Sequence, residues 1–285
     1  MWRKAAYVAT GILIAAFIFF VGGRLMLESL ERQLIYFPTR VARDAPTPQL
    51  EGAAVVEEVW LEAAEGVRVH GIYAGADGAF ADILFFHGNA GDLYDRLDNV
   101  ALLVSSGFNV LIMDYRGYGK SEGRPSEQAL YDDGLLAYRH LTGERGVDPA
   151  RLVIFGRSLG GTVAIELATQ QAAAAVIVES CFTSAQELAR LHYFWLPGKL
   201  LGAMTHKFDS ISKVPRLRVP VLYVHGDVDN IVPVQMGRRL YEASPEPKDW
   251  YEVRGAGHND MLWVGGSGYL RRFTEFVKQY VGAEG

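Results

Sequence analysis

RLVIFGRSLGGTVAIELA, residues 151–168, is the stretch whose reading decides the fold. RLVIF at 151–155 is a short apolar run of strand composition. GRSLG at 156–160 follows it without a spacer, and residues 161–170 have helical spacing. Strand, tight turn and helix in that order are the context of the G-x-S-x-G nucleophile elbow. The turn forces its central residue into a strained conformation and lifts the hydroxyl above the sheet. Small flanking residues are needed because the backbone folds back close to itself. Ser158 is therefore the candidate nucleophile.

The motif alone does not select Ser158, because GKSEG at 119–123 also fits it. Context does. Ser121 lies well past its strand and is followed by Gly123 and Pro125, so no helix opens there. Gly119-Lys120-Ser121 also brings to mind a phosphate-binding loop. That pattern requires glycine at position 114, where this chain has Asp114, and a helix directly after the serine.

Working outward, apolar runs and helical patterns alternate from residue 55 onward. Residues 55–61 and 67–73 alternate as a hairpin joined near Glu65-Gly66. Buried strands are expected at 83–86, 109–115, 175–179 and 221–226, with a last strand at 249–253. Helices are expected at 92–106, from Ser126 to about Leu141, at 233–243 and at 268–281. Strands separated by helices imply crossover connections. The predicted class is α/β: a mostly parallel central sheet with helices on both faces. One domain over 55–285 accounts for it, with 182–214 as a short cap inserted over the sheet edge.

A serine nucleophile needs a base, and the base needs an orienting acid. Behind an elbow of this kind the chain order is serine, acid, histidine. His70, His87 and His140 precede Ser158, while His192 and His206 fall in the insertion. His225 sits at a strand end. His258, in the glycine-rich loop GAGHND after the last strand, is the expected base. Asp229 is favoured as the acid because it stands further out on the loop after 221–226. Asp227 is the alternative, more suited to capping the turn, and Glu179 follows as a third choice. The oxyanion hole requires two backbone N–H groups. Leu159 supplies one. The other comes from the HGNA loop, with Asn89 the expected donor and Ala90 the alternative. His87 is expected to pack under that loop.

The N-terminus reads differently. Residues 5–23, AAYVATGILIAAFIFFVGG, carry no charge, and as a helix they span about 28 Å. That is close to the hydrocarbon thickness of a bilayer. The expectation is an uncleaved single-pass anchor over residues 1–24, followed by a connector over 25–54. A cleaved signal peptide ending at Val21-Gly22-Gly23 is the competing reading. Arg3 and Lys4 before the run, and Arg24, Arg32, Arg40 and Arg43 after it, leave the orientation open. Residues 25–37 suit an amphipathic helical extension, which Pro38, Pro46 and Pro48 end.

Composition excludes several classes. Of 285 residues, 49% are hydrophobic and 21% charged, which rules out a mainly disordered chain. A net charge of −5 argues against a general nucleic-acid binder. The single cysteine, Cys181, rules out a disulfide framework and a multi-cysteine zinc site.

HGNAG (87–91), MDYRGYGKSEG (113–123), GRSLGG (156–161), HGDVDNIVP (225–233) and GAGHND (255–260), in that order, resemble the membrane-anchored α/β-hydrolases. That group has depalmitoylase, lysophospholipase-like and serine-aminopeptidase-like members. The likeness covers about residues 55–281, and the N-terminal run followed by LIYFP fits it too. It implies the α/β-hydrolase fold, a Ser158–Asp229–His258 triad, and a structural role for the 113–123 loop. It implies acyl transfer through an acyl-enzyme, with no metal or organic cofactor. The leucine- and aromatic-rich stretch 188–208 suits an acyl-binding groove, with Phe194 and Trp195 as its lining, or simple packing on the sheet. The predicted function is a membrane-anchored serine hydrolase for ester or thioester bonds of lipid-like or acylated substrates. A serine peptidase of the same fold and a non-catalytic membrane scaffold are the alternatives.

Overall fold

The computed structural model describes residues 2–282, with side chains from Phe17 onward except Ile18 and Glu65. Eight strands form one twisted sheet: β1 Val55–Glu62, β2 Arg68–Gly75, β3 Ala81–Phe86, β4 Phe108–Met113, β5 Leu152–Arg157, β6 Ala175–Glu179, β7 Val221–Gly226 and β8 Lys248–Val253. Their order is β8-β7-β6-β5-β3-β4-β2-β1. The β1–β2 and β2–β4 pairs are antiparallel and all others parallel. The expected hairpin is thus the antiparallel edge of a parallel sheet, a common arrangement when helices cover both faces.

Strands β3, β5, β6 and β7 are buried along their whole length. This is why they read as unbroken apolar runs rather than as alternation. Side chains still alternate between faces. Leu84 and Ile154 pack on the side of α3 (Glu127–Arg139), α4 (Leu159–Ala168) and α8 (Val234–Ala243). Ile83, Phe85 and Phe155 point to α2 (Leu97–Ser105) and α9 (Met261–Tyr280), where Phe273 meets Phe155 edge-on at 5.3 Å. Ser126 caps α3 by accepting from the Ala129 N–H.

Helix α9 begins seven residues before the expected position 268. Gly266, at φ 50° and ψ −134°, interrupts it, and this break hides the first two turns from periodicity. The insertion folds as α5 (Ala185–His192), α6 (Gly198–Gly202) and α7 (Ser210–Lys213).

The N-terminal helix α1 runs from Trp2 to Ile35 without a break at residue 24. Most of the run expected as an anchor, residues 5–23, lies outside the described side chains. Among the described residues, no helix is long and apolar enough to cross a membrane. The segment after α1 is laid on the domain: Phe37–Pro38 pairs in parallel with Ala90–Gly91, and Arg40 bridges to Gly119.

Candidate active site

Strand β5 ends at Arg157 and α4 starts at Leu159, leaving Ser158 alone in the turn at φ 54° and ψ −117°. A non-glycine residue there costs on the order of 1–3 kcal/mol and persists only when its surroundings hold it. Here the Ser158 N–H donates to Glu179 O at 2.8 Å, and the Gly161 N–H to Ser158 O at 2.9 Å. Two glycines make the turn sterically feasible. A Cβ on Gly156 would lie 2.2 Å from Gly160 O, and one on Gly160 would lie 2.0 Å from Phe86 O.

His258 stands on the loop between β8 and α9, with Nε2 3.0 Å from Ser158 Oγ and Nδ1 2.7 Å from Asp229 Oδ2. An ionised carboxylate only accepts, so Nδ1–H donates to Asp229 and Nε2 is left to accept from the Ser158 hydroxyl. Asp229 is itself fixed: Oδ1 accepts from the N–H groups of Ile231 (2.9 Å) and Val232 (2.8 Å). Burial alone pushes the Asp229 carboxyl up, but hydrogen bonds from His225, His258 and the Val232 N–H outweigh it and hold it well below the usual range. It is therefore ionised at neutral pH.

The competing acids have other partners. Asp227 Oδ1 accepts from the Gly255 N–H at 2.6 Å and serves the turn, as expected of it. Glu179 binds Arg157 (Nε to Oε1, 3.1 Å) and accepts from the Tyr269 hydroxyl at 2.5 Å. Ser121 is buried elsewhere: its hydroxyl donates to Asp114 O and accepts from the His70 N–H, both at 2.8 Å.

Four contributors were not singled out in the sequence. Arg157, held by Glu179, donates through Nη2 to the main-chain oxygen of His258 at 3.0 Å and so braces the base loop. His225 donates from Nε2 to Val232 O at 2.8 Å and lies 3.3 Å from Asp229, steadying the acid loop. The Tyr115 hydroxyl donates to His87 O and that of Tyr118 to Asn89 O, both at 2.9 Å. These tyrosines tie the 113–123 loop under the candidate oxyanion loop. His87 packs there too, with Nδ1 2.8 Å from Gly88 O. The only sequence signal for any of the four is its place inside a quoted motif, which does not say what its side chain touches.

Leu159 and Asn89 both line the pocket that holds Ser158. Leu159 opens α4, where the first N–H groups have no intrahelical acceptor. The pocket measures about 360 Å³, within the range of small-molecule sites. Cap residues Leu188, Tyr193, Leu196 and Met204 form one side of it, so the cap lines the site. Phe194 and Trp195 do not. They are 83% and 68% exposed and point away, which corrects the expectation that they line a groove. Helix α1 adds Leu27, Leu30 and Leu34 to the lining. Among the described residues, no group of three or more His, Cys, Asp or Glu side chains is placed to hold a metal ion.

The α/β-hydrolase domain-containing protein WAV2 of Arabidopsis thaliana is 31% identical to this chain over 281 residues, covering 91% of each. The chain belongs to the α/β-hydrolase family. A family profile described as serine aminopeptidase, S33, matches this hydrolase over residues 78–212, a span that includes Ser158 and stops before Asp229 and His258. An uncharacterized protein of Mycobacterium tuberculosis is 37% identical over 280 residues, 97% of the hydrolase and 96% of that protein. The Pyrococcus furiosus esterase Pf2001 superposes with a TM-score of 0.70 at 18% identity, covering 87% of the hydrolase and 98% of the esterase. At that identity the likeness speaks for the fold alone.

Proposed function

We propose that this α/β-hydrolase is a membrane-anchored serine hydrolase that cleaves ester or thioester bonds of lipid-like or acylated substrates through an acyl-enzyme. One observation carries the reading: Ser158, His258 and Asp229 form a continuous hydrogen-bonded relay at 3.0 and 2.7 Å, beside an apolar pocket. His258 takes the Ser158 proton as the oxygen attacks the acyl carbonyl. The N–H groups of Leu159 and Asn89 stabilise the oxyanion, and Asp229 holds the tautomer and stabilises the imidazolium. His258 then protonates the leaving group. Water completes hydrolysis with His258 again as base.

The pocket favours acyl substrates over peptides with a free amino terminus. An aminopeptidase needs a negative group to receive the substrate ammonium. Among the described residues the pocket's only carboxylate is Glu31, and its oxygens are already occupied by Thr205 and His206. The helix also bears on substrate class. Leu27 stands four positions after Gly23, about 6 Å along the helix, so the pocket wall starts close to the end of the expected anchor. A pocket so placed draws on substrates concentrated at a bilayer surface.

A fluorophosphonate probe applied to the full-length protein should leave one adduct, mapped by mass spectrometry to the peptide carrying Ser158. No adduct at that serine would sink the reading and leave the non-catalytic scaffold as the better account. Anchoring has its own test. The uncharged run predicts that the full-length chain stays in the membrane pellet after alkaline carbonate washing. Recovery of a soluble form shortened by about 23 residues would favour a cleaved signal peptide instead.

A further inference from the structure

Glu31 is a buried carboxylate on a helix that otherwise turns leucines toward the pocket. Positions 27, 30, 31 and 34 share one helical face. A charge in such a stripe is costly unless fully hydrogen-bonded, and Glu31 meets that condition with two consecutive cap residues. The Thr205 N–H donates to both oxygens at 2.9 Å, and the Thr205 hydroxyl to Oε2 at 2.7 Å. The His206 N–H and Nδ1 reach Oε2 at 3.0 and 2.9 Å. Burial pushes the Glu31 carboxyl up, but these hydrogen bonds outweigh it and hold it below its usual value. The Tyr36 ring meets His206 edge-on at 5.6 Å.

The other side of the helix end is bound to the candidate oxyanion loop. Asn89 Nδ2 donates to Ile35 O, and the Phe37 N–H donates to Asn89 O, both at 3.0 Å. The end of α1 is thus pinned twice, once to the cap and once to the loop. A tether that served only to hold the domain at a membrane would need neither joint.

We propose that Glu31 is a positioning residue that fixes the end of the N-terminal helix as a wall of the acyl pocket, so that the Glu31–Thr205–His206 joint sets acyl-chain-length selectivity. The proposal rests on the acyl-pocket reading above. Loss of the carboxylate leaves two backbone N–H groups of the cap without acceptors and frees Leu27, Leu30 and Leu34 from their place. A short acyl group near Ser158 makes little use of that wall, whereas a longer chain lies against it.

The test uses the full-length protein in lipid nanodiscs, with empty nanodiscs subtracted. It compares kcat and KM for p-nitrophenyl butyrate and decanoate, and decanoate binding by calorimetry. Glu31→Ala should lower the decanoate-to-butyrate ratio of kcat/KM about tenfold, comparable to the contribution of roughly two buried methylenes. The loss should be carried by KM, and decanoate should bind more weakly by a similar factor. Glu31→Gln, which keeps one acceptor oxygen, should recover part of it. The Leu27→Ala/Leu34→Ala pair removes the wall without touching the joint and should shift the ratio in the same direction. It decides the matter if Glu31→Ala does not fold. Phe194→Ser, outside the pocket, should leave the ratio as in wild type. A ratio unchanged in both the Glu31 and leucine variants, or a fall equal at both chain lengths, overturns the proposal while hydrolysis leaves the serine-hydrolase reading standing. If wild type hydrolyses neither ester, that reading falls and decanoate binding decides. Weakening by Glu31→Ala supports the wall, and absent or unchanged binding overturns it.

Discussion

Ser158→Ala is expected to abolish fluorophosphonate labelling and to reduce ester hydrolysis on the order of 10⁶-fold, the scale on which a nucleophile of this type is lost. The fold should persist. The Ser158 hydroxyl has one hydrogen-bond partner, His258, and its backbone bonds to Glu179 and Gly161 do not involve the side chain. Denaturant unfolding should therefore show a stability change within about 1 kcal/mol. Ser121→Ala should behave in the opposite way. It keeps labelling, because Ser121 lies outside the pocket, and it loses about 1–3 kcal/mol because the buried His70 N–H is left without its acceptor. Loss of labelling in both variants alike would show that the elbow context picked the wrong serine.

Asp229→Asn should lower kcat by about 10⁴-fold with the structure intact. The asparagine offers an N–H₂ group where His258 Nδ1–H now finds an acceptor, which favours the tautomer whose Nε2 carries the proton and cannot take one from Ser158. Asp227→Asn should cost less than about tenfold, because its contact is with the Gly255 N–H and no reacting group. Reversed magnitudes would move the acid to Asp227. The depressed Asp229 carboxyl also sets a sign for stability against pH. A group held below its unfolded value, about 3.9 for aspartate, contributes stability in full above that value and loses it as pH falls toward the folded one. The stability gap between wild type and Asp229→Asn should stay constant at neutral pH and begin to close only below about pH 4 in equilibrium unfolding.

The local parts of the site were legible because they are coded by neighbours in the chain. RLVIF followed at once by GRSLG can hardly form anything but a strand running into an elbow. The loops HGDVDN and GAGHND each follow a strand whose buried length shows as an apolar run. Parallel order sends those strand ends to one edge of the sheet, so three residues spread over 100 positions meet there. The start of α9 was less legible because Gly265 and Gly266 break the period that marks a helix.

By itself the sequence determined the α/β class and singled out a candidate serine, histidine and aspartate, since each depends on a short pattern and on chain order. Only the tertiary structure decided what encloses them. Apolar residues at 188–208 say that a cap buries something, but a short insertion has apolar side chains on more than one side. It took the folded cap to show Leu188 and Leu196 turned inward and Phe194 and Trp195 turned out. Arg157 bracing His258 spans 101 positions, and Glu31 meeting His206 spans 175. Such contacts join groups whose nearness is created by the packing of separate elements, and no periodicity or motif in either segment carries a record of the other.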